Sequence, residues 1–181
     1  MYISEQLKES SIAEYLLYMW QVEDIIRAFG LDIDRIEKEY LTAFKLDEEK
    51  SRAMRLWYEG LIQMMHEEGI EKVGHLQVNK TVIAVLMDLH LQVLKSPKFA
   101  VYSGLYYKAL PFIVELRAKS GSQDKCEIEN CFDALYGIML LKAQGKPVSV
   151  QTQAAMTNIS NMIALLSDYY KKDKAQELEL E

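Results

Sequence analysis

The sequence predicts an all-α protein, a single-domain bundle of about six to seven helices in up-and-down or irregular order. Three observations predict it. Leu, Glu, Lys, Ala, Met and Ile dominate a chain of 181 residues that holds only 8 Gly and 3 Pro, a composition that favours helix over turn-rich β structure. Apolar residues recur every three to four positions in segment after segment. No stretch of useful length alternates with period two, and no 30- to 45-residue repeat is found.

Taken in order, Ser11 and Glu14 have capping-box spacing, and Ile12, Leu16, Met19, Trp20 and Ile26 carry a helix from about 12 to 29, with Gly30 as its stop. Asp32 and Asp34 suit the cap of a shorter helix through Ile36, Tyr40, Leu41 and Phe44. Asp47-Glu48-Glu49 opens a longer one through Met54, Trp57, Tyr58, Leu61 and Met65 to Gly69. The stretch from Gly69 to Asn79 is ambiguous. The next helix, near 76–95, starts at Leu76 or is capped by Asn79, and it is apolar on nearly every side, which places it at the centre of the bundle.

Ser96-Pro97 reads as N-cap and first-turn proline of a helix through Leu105, Tyr106, Leu110 and Leu116, with a kink expected at Pro111. After Ser120-Gly121-Ser122, the residues Ile128, Cys131, Phe132, Leu135 and Met139 form the stripe of a helix that ends before Gly145. Pro147 and Ser149 open the last helix, with stripe residues Ala155, Ile159, Met162, Ile163, Leu166, Tyr169 and Tyr170. Residues 1–172 form the domain, and 173–181 a charged tail expected to fray.

The 21 basic and 27 acidic residues give a net charge of −6, with the acidic excess in the first half. That balance repels phosphate backbones, and no nucleic-acid partner is expected. The amino terminus lacks the basic stub and apolar run of a signal peptide, and the longest apolar run, Val82 to Met87, is far short of the ~20 residues of a bilayer span. A membrane partner is therefore not expected. Cys126 and Cys131 are the only cysteines. On one helix they point about 140° apart and cannot pair, as suits a reducing compartment, so a cytoplasmic location is expected.

Candidate site residues come from two places. On the first helix Glu23, Asp24 and Arg27 fall within the arc occupied by Leu16, Met19 and Trp20, so charges line up with the apolar face. They are read either as part of a partly enclosed polar pocket or, more plainly, as a Glu23–Arg27 i,i+4 pair rotated into solvent. The second reading is preferred. Asp88 and His90 interrupt the apolar helix near 76–95, where burial calls for partners, Arg27 being one for Asp88. A satisfied core network is preferred there to a catalytic dyad.

Other constellations fail. Only His66, His75 and His90 are present, no Glu-x-x-His pair exists, and Glu71 with His75 is the sole pair at ligand spacing, so no metal is expected. Neither a Walker pattern nor a dinucleotide fingerprint can be drawn, and no cofactor is expected. The 11 tyrosines, with doublets Tyr106-Tyr107 and Tyr169-Tyr170 beside lysines, suit core edges or a protein interface better than base stacking.

Three strings carry a family resemblance: Ala13 to Arg27 (AEYLLYMWQVEDIIR), Gly74 to Lys80 (GHLQVNK), and Ser96-Pro-Lys-Phe99 leading to Tyr106–Arg117 (YYKALPFIVELR). Over nearly the whole chain the sequence resembles an uncharacterised bacterial domain-of-unknown-function family of short, stand-alone, helix-rich proteins. The resemblance implies a cytosolic all-α protein and brings no activity, cofactor or site residue with it. The expected function is non-enzymatic, through protein contacts or self-association as a homo-oligomer. The alternative is a small-molecule-binding protein or enzyme with a pocket between helices lined by Glu23, Asp24, Arg27, Asp88 and His90.

Overall fold

A computed structural model describes residues 2–120 and 125–180. Among these residues there are eight α-helices and no strand: α1 Tyr2–Ser10, α2 Ile12–Ala28, α3 Ile33–Glu39, α4 Glu48–Glu67, α5 Gln77–Lys95, α6 Ala100–Ser120, α7 Glu127–Ala143 and α8 Val150–Lys174. Two short 3-10 turns, Leu41–Phe44 and Pro97–Phe99, precede α4 and α6. The all-α expectation holds. The helix count is higher than expected by α1, a nine-residue helix that ends before Ser11.

The chain divides into two compact units rather than one bundle. The first comprises residues 1–8 and 14–81, the second residues 9–13 and 82–181. The first unit buries Leu16, Met19, Trp20, Val22 and Ile26 of α2 with Ile36, Met54, Tyr58, Leu61 and Met65 of α3 and α4. Arg55 of α4 is 2.7 Å from Asp34 and also bonds Glu37, joining the outer faces of α3 and α4. The second unit is built on α6 packed along α8, with α7 against both. Its core includes Tyr102, Ala109, Ile113, Ile128, Cys131, Phe132, Ile159, Met162 and Leu166.

Local signals set most helix ends. Asp32 accepts the amides of Asp34 and Arg35 at 3.0 and 3.1 Å, Asp47 that of Lys50 at 2.8 Å, and Ser149 that of Thr152 at 3.1 Å. These are N-caps of the ordinary kind. Gly30, Gly69 and Gly145 have φ of 70°, 64° and 66°, and the paired amide bonds of a Schellman closure end α2, α4 and α7 there. Ser96 departs from expectation: its side chain makes no cap bond, and the 3-10 turn comes between it and α6. Helix α8 runs three residues beyond Lys171 and closes on Gln176 at φ 58°.

One placement corrects the sequence reading. Helix α5 is not buried on every side: Val78, Val85 and Leu91 are exposed while Val82, Leu86, Leu89 and Val93 are buried. The extended core of the second unit lies instead along α6 and α8. Pro111 lies inside α6, and the helix continues on both sides of it. No helix among the described residues is long and apolar enough to cross a membrane.

Candidate functional site

Among the described residues, two buried polar centres and an apolar groove offer features that chemistry or recognition could use. The first centre is Glu23, fully buried on α2. One carboxylate oxygen accepts the Leu76 amide at 3.0 Å and the Asn79 side-chain amide at 2.7 Å. The other faces His75 Nδ1 at 2.7 Å, so the imidazole donates from that nitrogen. The His75 ring stacks on Trp20 with centroids 4.0 Å apart and planes 11° from parallel.

Helix α5 has no acid in its own first turn. Its open amides are met from a distance: Glu23 takes Leu76, and Glu68 takes Gln77 at 2.7 Å. Both carboxylates also sit at the positive end of the helix dipole. Arg27 holds the other side of the loop. It donates to the Ile70 carbonyl at 3.3 Å and to the Gly74 carbonyl, and pairs with Asp24 at 3.0 Å.

The preferred sequence reading of Glu23 and Arg27 is therefore corrected: the two turn inward, and they bind the 70–79 segment rather than each other. Both Glu23 oxygens are engaged by the 75–79 segment, so the chain itself occupies the place a ligand would take. His75 and Asn79 are the partners that sequence reasoning missed. The visible signal was a charged residue inside an apolar arc, which fixes that a partner exists but not which one.

The second centre is His90 on α5, 1 % exposed. Its Nδ1 lies 2.6 Å from the Tyr102 hydroxyl on α6, and its Nε2 lies 3.8 Å from Glu127 at the start of α7. Burial holds the His90 imidazole below its ordinary pKa, against a smaller opposing pull from Glu127. Burial likewise drives Tyr102 well above the ordinary phenol value. Both rings are thus neutral near pH 7. The Tyr102 O–H donates to Nδ1, leaving the ring proton on Nε2 facing the carboxylate at a distance too long for a hydrogen bond. Tyr106, pushed up to about 12 by burial and then by Glu127, donates to the same carboxylate at 3.1 Å.

Asp88 does not join this centre. It is exposed, because two residues along a helix turn the side chain by about 200°, so His90 facing inward sends Asp88 outward. Asp24 is half exposed. Of the five predicted residues, Glu23 and His90 are buried, while Asp24 and Asp88 reach solvent.

Neither cysteine is poised for attack. Cys126 is the N-cap of α7, its sulfur 3.4 Å from the Glu129 amide. Burial raises the thiol pKa of both, Cys131 the more strongly, which suppresses the reactive thiolate. His75 and Glu71, the pair weighed as metal ligands, have separate partners: His75 bonds Glu23 and Glu71 bonds His66 at 3.2 Å. Among the described residues no three His, Cys, Asp or Glu side chains converge as ligands.

The groove lies in the second unit, between the end of α6, the outer half of α7 and the start of α8. It encloses about 510 Å³ and is lined mainly by Leu116, Ile138, Leu140, Leu141 and Met156, with Lys146 at its rim. It exists because α7 carries the run Ala134-Leu-Tyr-Gly-Ile-Met-Leu-Leu141, apolar all round, while only Tyr136 of that run is buried.

A sequence model of a domain of unknown function, DUF4924, matches residues 1–177. The chain belongs to that family. No curated protein and no solved structure matches it. Membership of the DUF4924 family fixes kinship over nearly the full length and attaches no chemistry to either polar centre.

Proposed function

We propose that this DUF4924 protein works by contact, taking the apolar face of a partner protein's helix into the groove between α6, α7 and α8. The observation that carries the reading is that groove: an open, apolar depression of about 510 Å³. An amphipathic helix laid in an apolar groove is a common recognition mode, anchored by residues one turn apart. Lys146 at the rim adds a preference for an acidic residue at one end of the bound helix.

The test is a displayed library of amphipathic helical peptides, selected on the intact protein and measured by fluorescence anisotropy. Peptides with spaced apolar anchors and an acidic end are expected to bind, and Ile138→Asp, with its helical circular dichroism preserved, is expected to lose them at least tenfold. Failure of any such peptide to bind overturns the reading.

A second reading is a small apolar ligand in the same groove, favoured by its volume, which falls in the range of about 300–1,000 Å³ usual for small-molecule pockets. Native mass spectrometry showing a bound small molecule, together with no peptide selected, would decide for it.

A further inference from the structure

Helix α6 is apolar on both sides. Its inner side buries Tyr102, Ala109 and Ile113. Its outer side presents Ala100, Gly104, Tyr107, Pro111, Val114 and Ala118, all exposed. Tyr107 is 67 % exposed, Val114 57 % and the adjoining Val101 71 %. The six positions step 4, 3, 4, 3, 4 along the chain, which is the spacing of a helix-to-helix seam. At 1.5 Å per residue the seam is about 27 Å long, with exposed Lys108 and Glu115 along one edge.

We infer that this outer face of α6 pairs with the same face of a second copy, antiparallel, about a two-fold axis beside Ala109. The occupant follows from the order of residues. Running the seam against itself in reverse sets Ala100 opposite Ala118, Gly104 opposite Val114 and Tyr107 opposite Pro111. Each large side chain then meets a small or flat one, as an isologous contact requires. A parallel pairing would instead set Tyr107 on Tyr107 and leave Gly104 facing Gly104 across a gap.

Pro111 strengthens the match. It has no amide to give the Tyr107 carbonyl, and its flat ring offers a shallow surface for Tyr107 of the second copy to pack on. Along the edges, Leu110 meets Leu110 of the other copy near the axis. Lys108 meets Lys108 on the opposite edge, a like-charge contact that added salt relieves. One helix pair of this length is at the low end of specific interfaces, below about 1,200 Å², so the dimer is weak and reversible. The inference uses the opposite side of α6 from the groove and stands apart from the proposed function.

Sedimentation velocity over a wide concentration range is expected to show reversible dimerisation, stronger at higher salt, and Val114→Arg is expected to weaken it at least tenfold. Cysteine cross-linking reads the geometry. Gly104 has open space where a side chain would begin, so Gly104→Cys is tolerated. Mixed with Val114→Cys under mild oxidation it is expected to give the crossed disulfide dimer by intact mass, while neither variant links to itself. Self-linked dimers of each variant would mean parallel pairing and overturn the proposal, as would a monomer at all concentrations with no cross-link.

Discussion

Glu23 and His90 are both buried polar groups on helices, and they are served very differently. Both oxygens of Glu23 are engaged, by a main-chain amide, a side-chain amide and an imidazole from the 75–79 segment. His90 is satisfied on one nitrogen and faces a carboxylate at 3.8 Å on the other. The lesson is that burial alone does not mark a working site. A saturated group is a fastener, whereas a half-satisfied one is where the protein responds to its surroundings.

The largest effect expected from that contrast is at Glu23. Glu23→Ala strands three donors, two of them buried, and is expected to cost about 3–5 kcal/mol, read from the urea midpoint. Glu23→Gln, which keeps an oxygen acceptor, is expected to lose less. If both variants unfold like the parent, Glu23 is not a fastener and the contrast disappears.

His90→Leu leaves only the Tyr102 hydroxyl unpaired and is expected to cost about 1–3 kcal/mol. The His90 imidazole has its folded pKa lowered by burial. The unfolded chain therefore takes up a proton first as pH falls, and stability is full above the ordinary histidine value of about 6.5 and declines below it. The thermal midpoint is expected to fall between pH 7 and pH 5, and His90→Leu to remove part of that slope. An unchanged slope would assign the acid sensitivity elsewhere.

Smaller effects refine the loop side of the comparison. Gly69 stands at φ 64° with nothing near its missing side chain, so Gly69→Ala is expected to cost about 1–2 kcal/mol from backbone strain alone. At the end of α8, Gln176 adopts φ 58°, and Gln176→Gly is expected to gain about 0.5–1 kcal/mol in the same denaturation measurement. Ser149→Ala, which removes a cap in the second unit, is expected to cost about 1 kcal/mol.

Much of this was legible in the sequence, and the boundary is physical. Asp32, Asp47 and Ser149 cap, and Gly30, Gly69 and Gly145 stop, within a few residues of the backbone groups they serve, so local order reveals them. The division into two units and the modest burial of α5 depend on contacts distant in the chain, and composition does not encode them. Glu23 was visible as a charge in an apolar arc, but its partners lie 52 to 56 residues away. Asp88 and His90 were read together although helical geometry separates them by more than half a turn, an error the wheel itself corrects. The α7 groove was hidden by its own strength: an apolar stripe looks the same whether a neighbour covers it or not.

The borrowed acids at the start of α5 have a kinetic consequence. A helix whose first turn is completed by residues from two earlier segments gains little by nucleating alone, since its opening amides stay wet until those segments arrive. An isolated peptide of residues 76–95 is expected to be mostly coil in water. In the whole chain the first turn of α5 orders late, after α2 and α4 have met, and pulse-labelled amide exchange at Leu76 and Gln77 would time that event.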